Sequence, residues 1–312
     1  MEFNGISITV CCYNDGKLLP NFLDSFLQQT PVNCAVELNV IDNASIDNTP
    51  DIYNHYQNKF KQLKLAFNYF HEAKRGLNHA RNRGINEAKY TYIGFTDADA
   101  KFDIDYLNIL QKTIIEQNPL IIFGPYFPWY NMPKPLWYKD EYNSYFLNRK
   151  AEYVNDNQYP NGINMVFEIN TLKEIGSFST KIVYKGINDR GEETELFYRY
   201  KAKFNYKHIF YNPALKVYHY TRPQTMHLNH WIKSNWGTGK NHAKFMAKTS
   251  IVRNIKDILW IVKTIIASFF GYLFKSKQYQ YTYYQNFLIE KIFSHIYGFS
   301  LAFHRLKQNN KN

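Results

Sequence analysis

The strongest constraint on this chain is a rhythm in its first hundred residues. Short β-branched or apolar runs at 6–12, 36–41, 63–70 and 90–95 alternate with stretches that carry helical spacing or helix-capping chemistry, at 18–29, 50–60 and 78–88. In the first helical stretch Leu18, Leu19, Phe22, Phe26 and Leu27 recur at helical spacing. Strands separated by helices imply parallel neighbours, because a parallel pair needs a long crossover connection. The fold class expected is α/β, a mixed, mostly parallel sheet flanked by helices. Three polar clusters, Tyr13–Asp15, Asp42–Asn48 and Asp97–Asp99, fall at predicted strand carboxyl ends. Open sheets of this class bind their ligands at that edge.

Charge divides the chain unevenly. Residues 1–200 carry 20 Lys and Arg against 24 Asp and Glu, whereas residues 201–312 carry 18 against only Asp257 and Glu290. Unless it is merely a solvated face, such a basic third attracts phosphate: nucleic acid, nucleotide or anionic lipid. The 45% hydrophobic content excludes a disordered or collagen-like class. Cys11, Cys12 and Cys34 match neither a disulfide framework nor a zinc pattern, which fits a reducing compartment. No secretory signal is read at the N-terminus. The stretches 251–275 and 283–306 are apolar with recurring cations, and Lys263 interrupts the run 258–274. That run falls short of the roughly 20 apolar residues a spanning helix needs. An amphipathic helix lying on a membrane or on the catalytic domain is expected instead. The one-sided charge favours an anionic membrane surface, and core packing is the plainer alternative.

Several residues carry chemistry. Asp97-Ala98-Asp99 puts two carboxylates on one loop, the ligand type that hard divalent cations take together with substrate phosphates. Val217-Tyr218-His219 brings an imidazole to another predicted strand. Arg81-Asn82-Arg83-Gly84 places two cations upstream of the acidic loop, as a surface helix or a pyrophosphate clamp. Glu192, Glu193 and Glu195 open a helix predicted over 191–203, where favourable interaction with the helix dipole alone could account for them. Residues 119–142, with five prolines, Trp129 and Trp137, read as an irregular aromatic loop.

In this order the pieces resemble the family-two glycosyltransferases, which have the GT-A nucleotide-sugar-binding fold. The resemblance rests on Ile-Thr-Val-Cys-Cys-Tyr-Asn (8–14), Val-Ile-Asp-Asn-Ala-Ser-Ile-Asp-Asn-Thr (40–49), Ala-Arg-Asn-Arg-Gly-Ile (80–85) and Ile-Gly-Phe-Thr-Asp-Ala-Asp (93–99). It continues through Asn-Gly-Ile-Asn-Met-Val-Phe (161–167), Ile-Gly-Ser-Phe (175–178), Gly-Glu-Glu-Thr-Glu-Leu (191–196) and Val-Tyr-His (217–219). It implies that Cys11 and Tyr13 line the nucleobase pocket and that Asp42 hydrogen-bonds the base as a uracil-reading carboxylate. Arg81 would approach the diphosphate and Asp97 the ribose or donor sugar, with Asp99 and His219 holding Mn2+ or Mg2+. Glu193 takes the place of the catalytic base of an inverting displacement, with Glu192 beside it as the alternative. The family's usual residue at 193 is Asp, one methylene shorter, and Cys stands where Pro is common in the first motif.

The expected organisation is a GT-A catalytic domain over 1–222, with a nucleotide-sugar half to about residue 100 and an acceptor half from about 101. A basic, amphipathic helical region follows over 223–312. The expected partners are a nucleotide-diphosphate sugar, UDP favoured, and a glycan or lipid-linked saccharide acceptor. The expected location is cytoplasmic, peripheral at the inner face of the cytoplasmic membrane, with an anionic surface met through 251–312. A glycosyltransferase-like scaffold without turnover is one alternative. A nucleic-acid-binding protein is another, but it leaves the order of Asp97, Asp99, Glu193 and His219 unexplained, so no nucleic acid is expected.

Overall fold

The computed structural model describes residues 2–154, 158, 160–181, 192–205, 207–246, 249–275 and 277–309. They fall into two compact units: one drawn from 2–129, 140–181 and 192–220, the other from 130–139 and 221–309.

The first unit follows the predicted rhythm: β1 (Ile6–Cys12), α1 (Leu19–Leu27), β2 (Val36–Asp42), α2 (Thr49–Gln62), β3 (Ala66–His71), α3 (Leu77–Glu87) and β4 (Tyr92–Asp97). It continues through β5 (Ala100–Phe102), α4 (Tyr106–Gln117), β6 (Ile121–Phe123), β7 (Tyr126–Trp129), β8 (Glu152–Val154) and β9 (Met165–Glu168). It ends with α5 (Ile169–Glu174), α6 (Glu192–Phe204), β10 (Ile209–Tyr211) and β11 (Val217–Tyr220). Eight of the described strands form one sheet, ordered β3-β2-β1-β4-β9-β6-β10-β8. The pairs β1–β2, β2–β3, β1–β4 and β6–β10 are parallel. The pairs β4–β9, β6–β9 and β8–β10 are antiparallel. The expected mixed, mostly parallel α/β sheet is what the chain forms.

The period-two pattern of the strands builds a core on each face. Ile6, Ile8, Val10 and Cys12 of β1 pack on Phe22 and Phe26 of α1. Ile93 and Phe95 of β4 join Phe167, Phe197 and Tyr200 in the second core. The alternate residues of β1 are Ser7, Thr9 and Cys11, and small side chains there leave room for α3. Gly84 sits so close that a Cβ would lie 2.4 Å from Thr9 Cγ2. Ser7 Oγ donates to the buried Glu37 carboxylate at 2.7 Å, and Lys89 N–H donates to the same oxygen at 2.9 Å.

Two segments differ from their expectation. The stretch 119–142 is not wholly irregular, because Ile121–Phe123 and Tyr126–Trp129 are strands. Pro128 is tolerated in β7 because β7 is an edge of a second, three-stranded sheet, β5-β11-β7. The third strand begins at Ala66, three residues later than its apolar run suggests, after α2 extends to Gln62.

The second unit is helical: α7 (Leu228–Phe245), α8 (Ile251–Leu273), α9 (Tyr284–Phe287), a π-helical turn over Leu288–Phe293, and α10 (Ser294–Asn309). The helix α10 packs on both α7 and α8, and Ser300 Oγ donates to the Trp236 carbonyl at 2.7 Å. The segment 130–139 is tied into this unit by Asn286 Nδ2 donating to the Trp137 carbonyl at 2.6 Å and by Lys139 paired with Glu290 at 2.6 Å.

Gly84→Ala is expected to cost about 1–3 kcal/mol through overpacking against Thr9. Thr9→Ser, which removes Cγ2, should recover part of that loss in the double variant. Urea unfolding of the two single variants and the double variant checks both statements.

Candidate active site

The small sheet brings together residues far apart in sequence. At the end of β4 the chain turns through Ala98 and Asp99 and re-enters as β5. β5 pairs antiparallel with β11, so Ala100 opposes His219. The Asp99 carbonyl accepts the Tyr220 N–H at 3.0 Å and the Trp129 indole N–H at 3.1 Å. The acidic turn is thereby clamped to β11 and β7. Ligand atoms of Asp97, Asp99 and His219 lie within 4.8 Å of one another, and His219 Nε2 is 3.4 Å from Asp99 Oδ1.

Burial pushes the Asp97 carboxyl up to about 6; the Asp99 charge adds to this, Arg81 and His219 oppose it, and Glu193 adds again. Crowded carboxylates of this kind are relieved by a cation. Two carboxylate oxygens with one imidazole nitrogen suit Mg2+ or Mn2+, the imidazole leaning toward Mn2+. His219 Nδ1 is buried without a hydrogen-bond partner. The ring sits edge-on to Tyr126 at 5.8 Å, which leaves packing to orient it. These residues fit a divalent cation.

Beside this trio, Arg81 Nη2 donates to Glu193 Oε1 at 2.9 Å. The Arg81 side chain is only 3% exposed, and its guanidinium lies over the Phe178 ring at 5.0 Å. Its neighbour on α3, Asn82, fixes Phe178 by exchanging hydrogen bonds with its backbone at 2.8 and 3.0 Å. Gly162 makes the ion pair possible sterically: a Cβ there would lie 2.0 Å from Glu193 Oε1 and 2.5 Å from Arg81 Nη2. Glu193 is the second residue of α6. The side chain of Glu192 lies outside the described residues, as does Gly191 of the same motif.

The remaining sequence candidates lie along the same sheet edge. Cys11 is opposite Asp97 in the β1–β4 register, and burial pushes its thiol up to about 12, so it is a neutral S–H. Asp42 is opposite Cys12 on the other side of β1, two strand spacings or roughly 10 Å from the acidic turn. Asp42 is 1% exposed and accepts from Ser45 N–H at 2.9 Å and Tyr69 Oη at 2.5 Å. Tyr13 is exposed just beyond β1, with the Arg75 guanidinium 4.9 Å over its ring. Asn43 holds the loop carrying Arg75 through its amide, which donates to the Glu72 and Lys74 carbonyls and accepts the Gly76 N–H. The edge thus has an acidic, imidazole-bearing end and an aromatic end.

The model of the family described as glycosyl transferase family 2 matches residues 7–176, more than half of the chain. The chain belongs to glycosyl transferase family 2. Among curated relatives, the glycosyltransferase GlyA of Streptococcus pneumoniae is 30% identical over 133 residues, covering 43% of this chain and 18% of GlyA. The chain spans under half the length of the curated relatives it matches. Staphylococcus aureus TarS 1–349, solved with UDP, superposes with a TM-score of 0.53 at 16% identity, over 98% of this chain and 92% of that one. The mannosyltransferase PcManGT of Pyrobaculum calidifontis, solved with GDP-Man and Mn2+, gives 0.56 at 15% identity, over 98% and 75%. These likenesses show the GT-A fold.

Within this candidate site, sequence reasoning assigned no part to Gly162, Tyr69 or Arg75. The Asn161-Gly162 motif was visible, but the need for a missing side chain appears only once Arg81 and Glu193 meet over it. Tyr69 and Arg75 act through contacts that no local spacing announces.

In metal-free protein the raised Asp97 carboxyl holds its proton more tightly folded than unfolded. Its contribution to stability is full below about pH 4, the unfolded range, and is lost as pH rises through about 6. Asp97→Asn should therefore flatten that decline and add about 1–2 kcal/mol near neutral pH, after allowance for partial exposure. Urea unfolding in EDTA across a pH series checks it.

Proposed function

We propose that this family-2 member is an inverting glycosyltransferase that moves a sugar from a nucleotide-diphosphate sugar to a hydroxyl of a glycan or lipid-linked saccharide. The observation that carries this reading is the convergence of Asp97, Asp99 and His219 with the Arg81–Glu193 pair on one carboxyl edge of the sheet. One end of that edge suits a diphosphate and its counter-charge, and the other presents the exposed Tyr13 ring to a base, with the buried Asp42 at the end of the neighbouring strand. Uracil is the base favoured, through Asp42; the UDP bound to TarS is consistent with it.

The residues divide the work. Tyr13, backed by Arg75, offers a stacking face to the base. Asp42 is oriented by Tyr69 and Ser45 and offers a carboxylate to the imide N–H. Asp97 faces the ribose or donor sugar, and Asp99 and His219 hold the divalent cation. When bound, that cation would stabilise the charge that develops on the diphosphate leaving group.

The acceptor oxygen attacks the anomeric carbon from the face opposite the nucleoside diphosphate. The bond from that carbon to the phosphate oxygen breaks as the glycosidic bond forms, and the hydroxyl proton passes to the Glu193 carboxylate. Arg81 positions Glu193 and brings positive charge to the diphosphate side of the cluster. The longer Glu at this place is accommodated because Gly162 leaves its carboxylate room. Direct displacement inverts the anomeric carbon and needs no protein nucleophile.

A thermal-shift panel of UDP-, GDP-, dTDP- and CMP-sugars, with and without Mn2+, tests the donor assignment. One nucleotide should raise the midpoint only with metal, and Asp99→Ala should abolish that shift. Glu193→Gln should keep the shift but lower transfer about 100-fold or more, the usual worth of a general base. No shift with any donor, or full transfer by Glu193→Gln, would overturn the corresponding assignment.

A further inference from the structure

The helix α8 is built inside out. Its buried positions are Asn254, Ile261 and Ser268, seven residues apart and two of them polar. This is the side that packs on α10, where a Cβ at Gly298 would lie 3.1 Å from Ile261 Cδ1. The adjacent stripe, Ile255, Leu259, Val262, Ile266, Phe269 and Leu273, recurs at steps of three and four and is exposed along its whole length. Leu259 is 63% and Leu273 69% exposed. From Ile255 to Leu273 the row runs for roughly 27 Å of helix, and a contiguous exposed apolar face of this kind marks a protein or membrane interaction surface.

Lys256 and Lys263 are exposed on the flank of this stripe away from α10, as helical spacing of about 100° per residue places them. Trp260, also exposed, lies on the other side of these lysines, its ring edge-on to His295 of α10 with 5.9 Å between centroids. No helix among the described residues is long and apolar enough to cross a membrane.

We propose that α8 is an interfacial helix lying in the plane of an anionic lipid bilayer. The Ile255–Leu273 row sits among the upper acyl chains, while Lys256 and Lys263 extend their stems to the lipid phosphates. Charge decides the occupant. Residues 201–312 carry 18 cations against two acids, so a second copy on this face would set like charge against like, whereas anionic lipid complements it. This surface is independent of the transfer chemistry, since binding to lipid needs neither donor nor metal.

The test is flotation of the full chain with vesicles of phosphatidylglycerol and phosphatidylcholine, against phosphatidylcholine alone, without nucleotide or metal. Wild type should float with the anionic vesicles and at least about tenfold less with the neutral ones. Leu259→Glu/Ile266→Glu should lower anionic binding at least about tenfold with an unchanged melting midpoint. Lys256→Glu/Lys263→Glu should erase the preference for anionic lipid. Wild type left unfloated by both vesicles overturns the proposal, and so does a wild-type dimer that the Leu259→Glu/Ile266→Glu variant converts to monomer. A nucleotide-dependent thermal shift measured on the same sample keeps a failure here distinct from a failure of the donor site.

Discussion

The pairing of β5 with β11 is the constraint on which the candidate site depends. Three residues of β5 suffice to set His219 beside the turn that carries Asp97 and Asp99, across more than a hundred residues of chain. Two donors on the Asp99 carbonyl, one from the next residue of β11 and one from Trp129, fix the turn through its backbone. The position of the turn is thus set by its main chain rather than by its carboxylates. Such clamping matters because like charges held together would otherwise splay apart.

The large sheet supplies the other half of the geometry. Its interior strand β1 is apolar on the α1 side and small on the α3 side, so α3 lies close to the sheet, with Gly84 against Thr9. That closeness aims Arg81 at the strand edge, where Glu193 meets it above Gly162. Two positions without side chains thus set how near the helix and the acid approach that edge. Overpacking at Gly84 would act on stability through the core, whereas a side chain at Gly162 would strike the ion pair itself.

Much of the fold was legible because strand and helix periods differ and the first hundred residues keep them cleanly apart. The acidic turn, His219 and Glu193 were legible from ordered motifs rather than from any single residue. What escaped were short pieces whose identity is fixed by partners: β5, with three residues, and β7, whose Pro128 reads as a strand breaker until its place at a sheet edge is known. Arg81 and Glu193 were both singled out, but their pairing was not, since sequence spacing carries no information about contacts 112 residues apart. The outward apolar row of α8 was visible as amphipathicity, yet which side faced the bundle depended on α10.

The second unit is not a simple tail. Among the described residues the chain enters it at Tyr130, returns at Asp140 before β8 begins, and enters it again after β11. The segment 130–139 is held there through Trp137 and Lys139 by partners more than 140 residues later. A shortened chain ending after β11 would therefore keep this ten-residue excursion but lose Asn286 and Glu290, the partners of Trp137 and Lys139. The boundary between the two units is a boundary in space that no single cut in the gene reproduces.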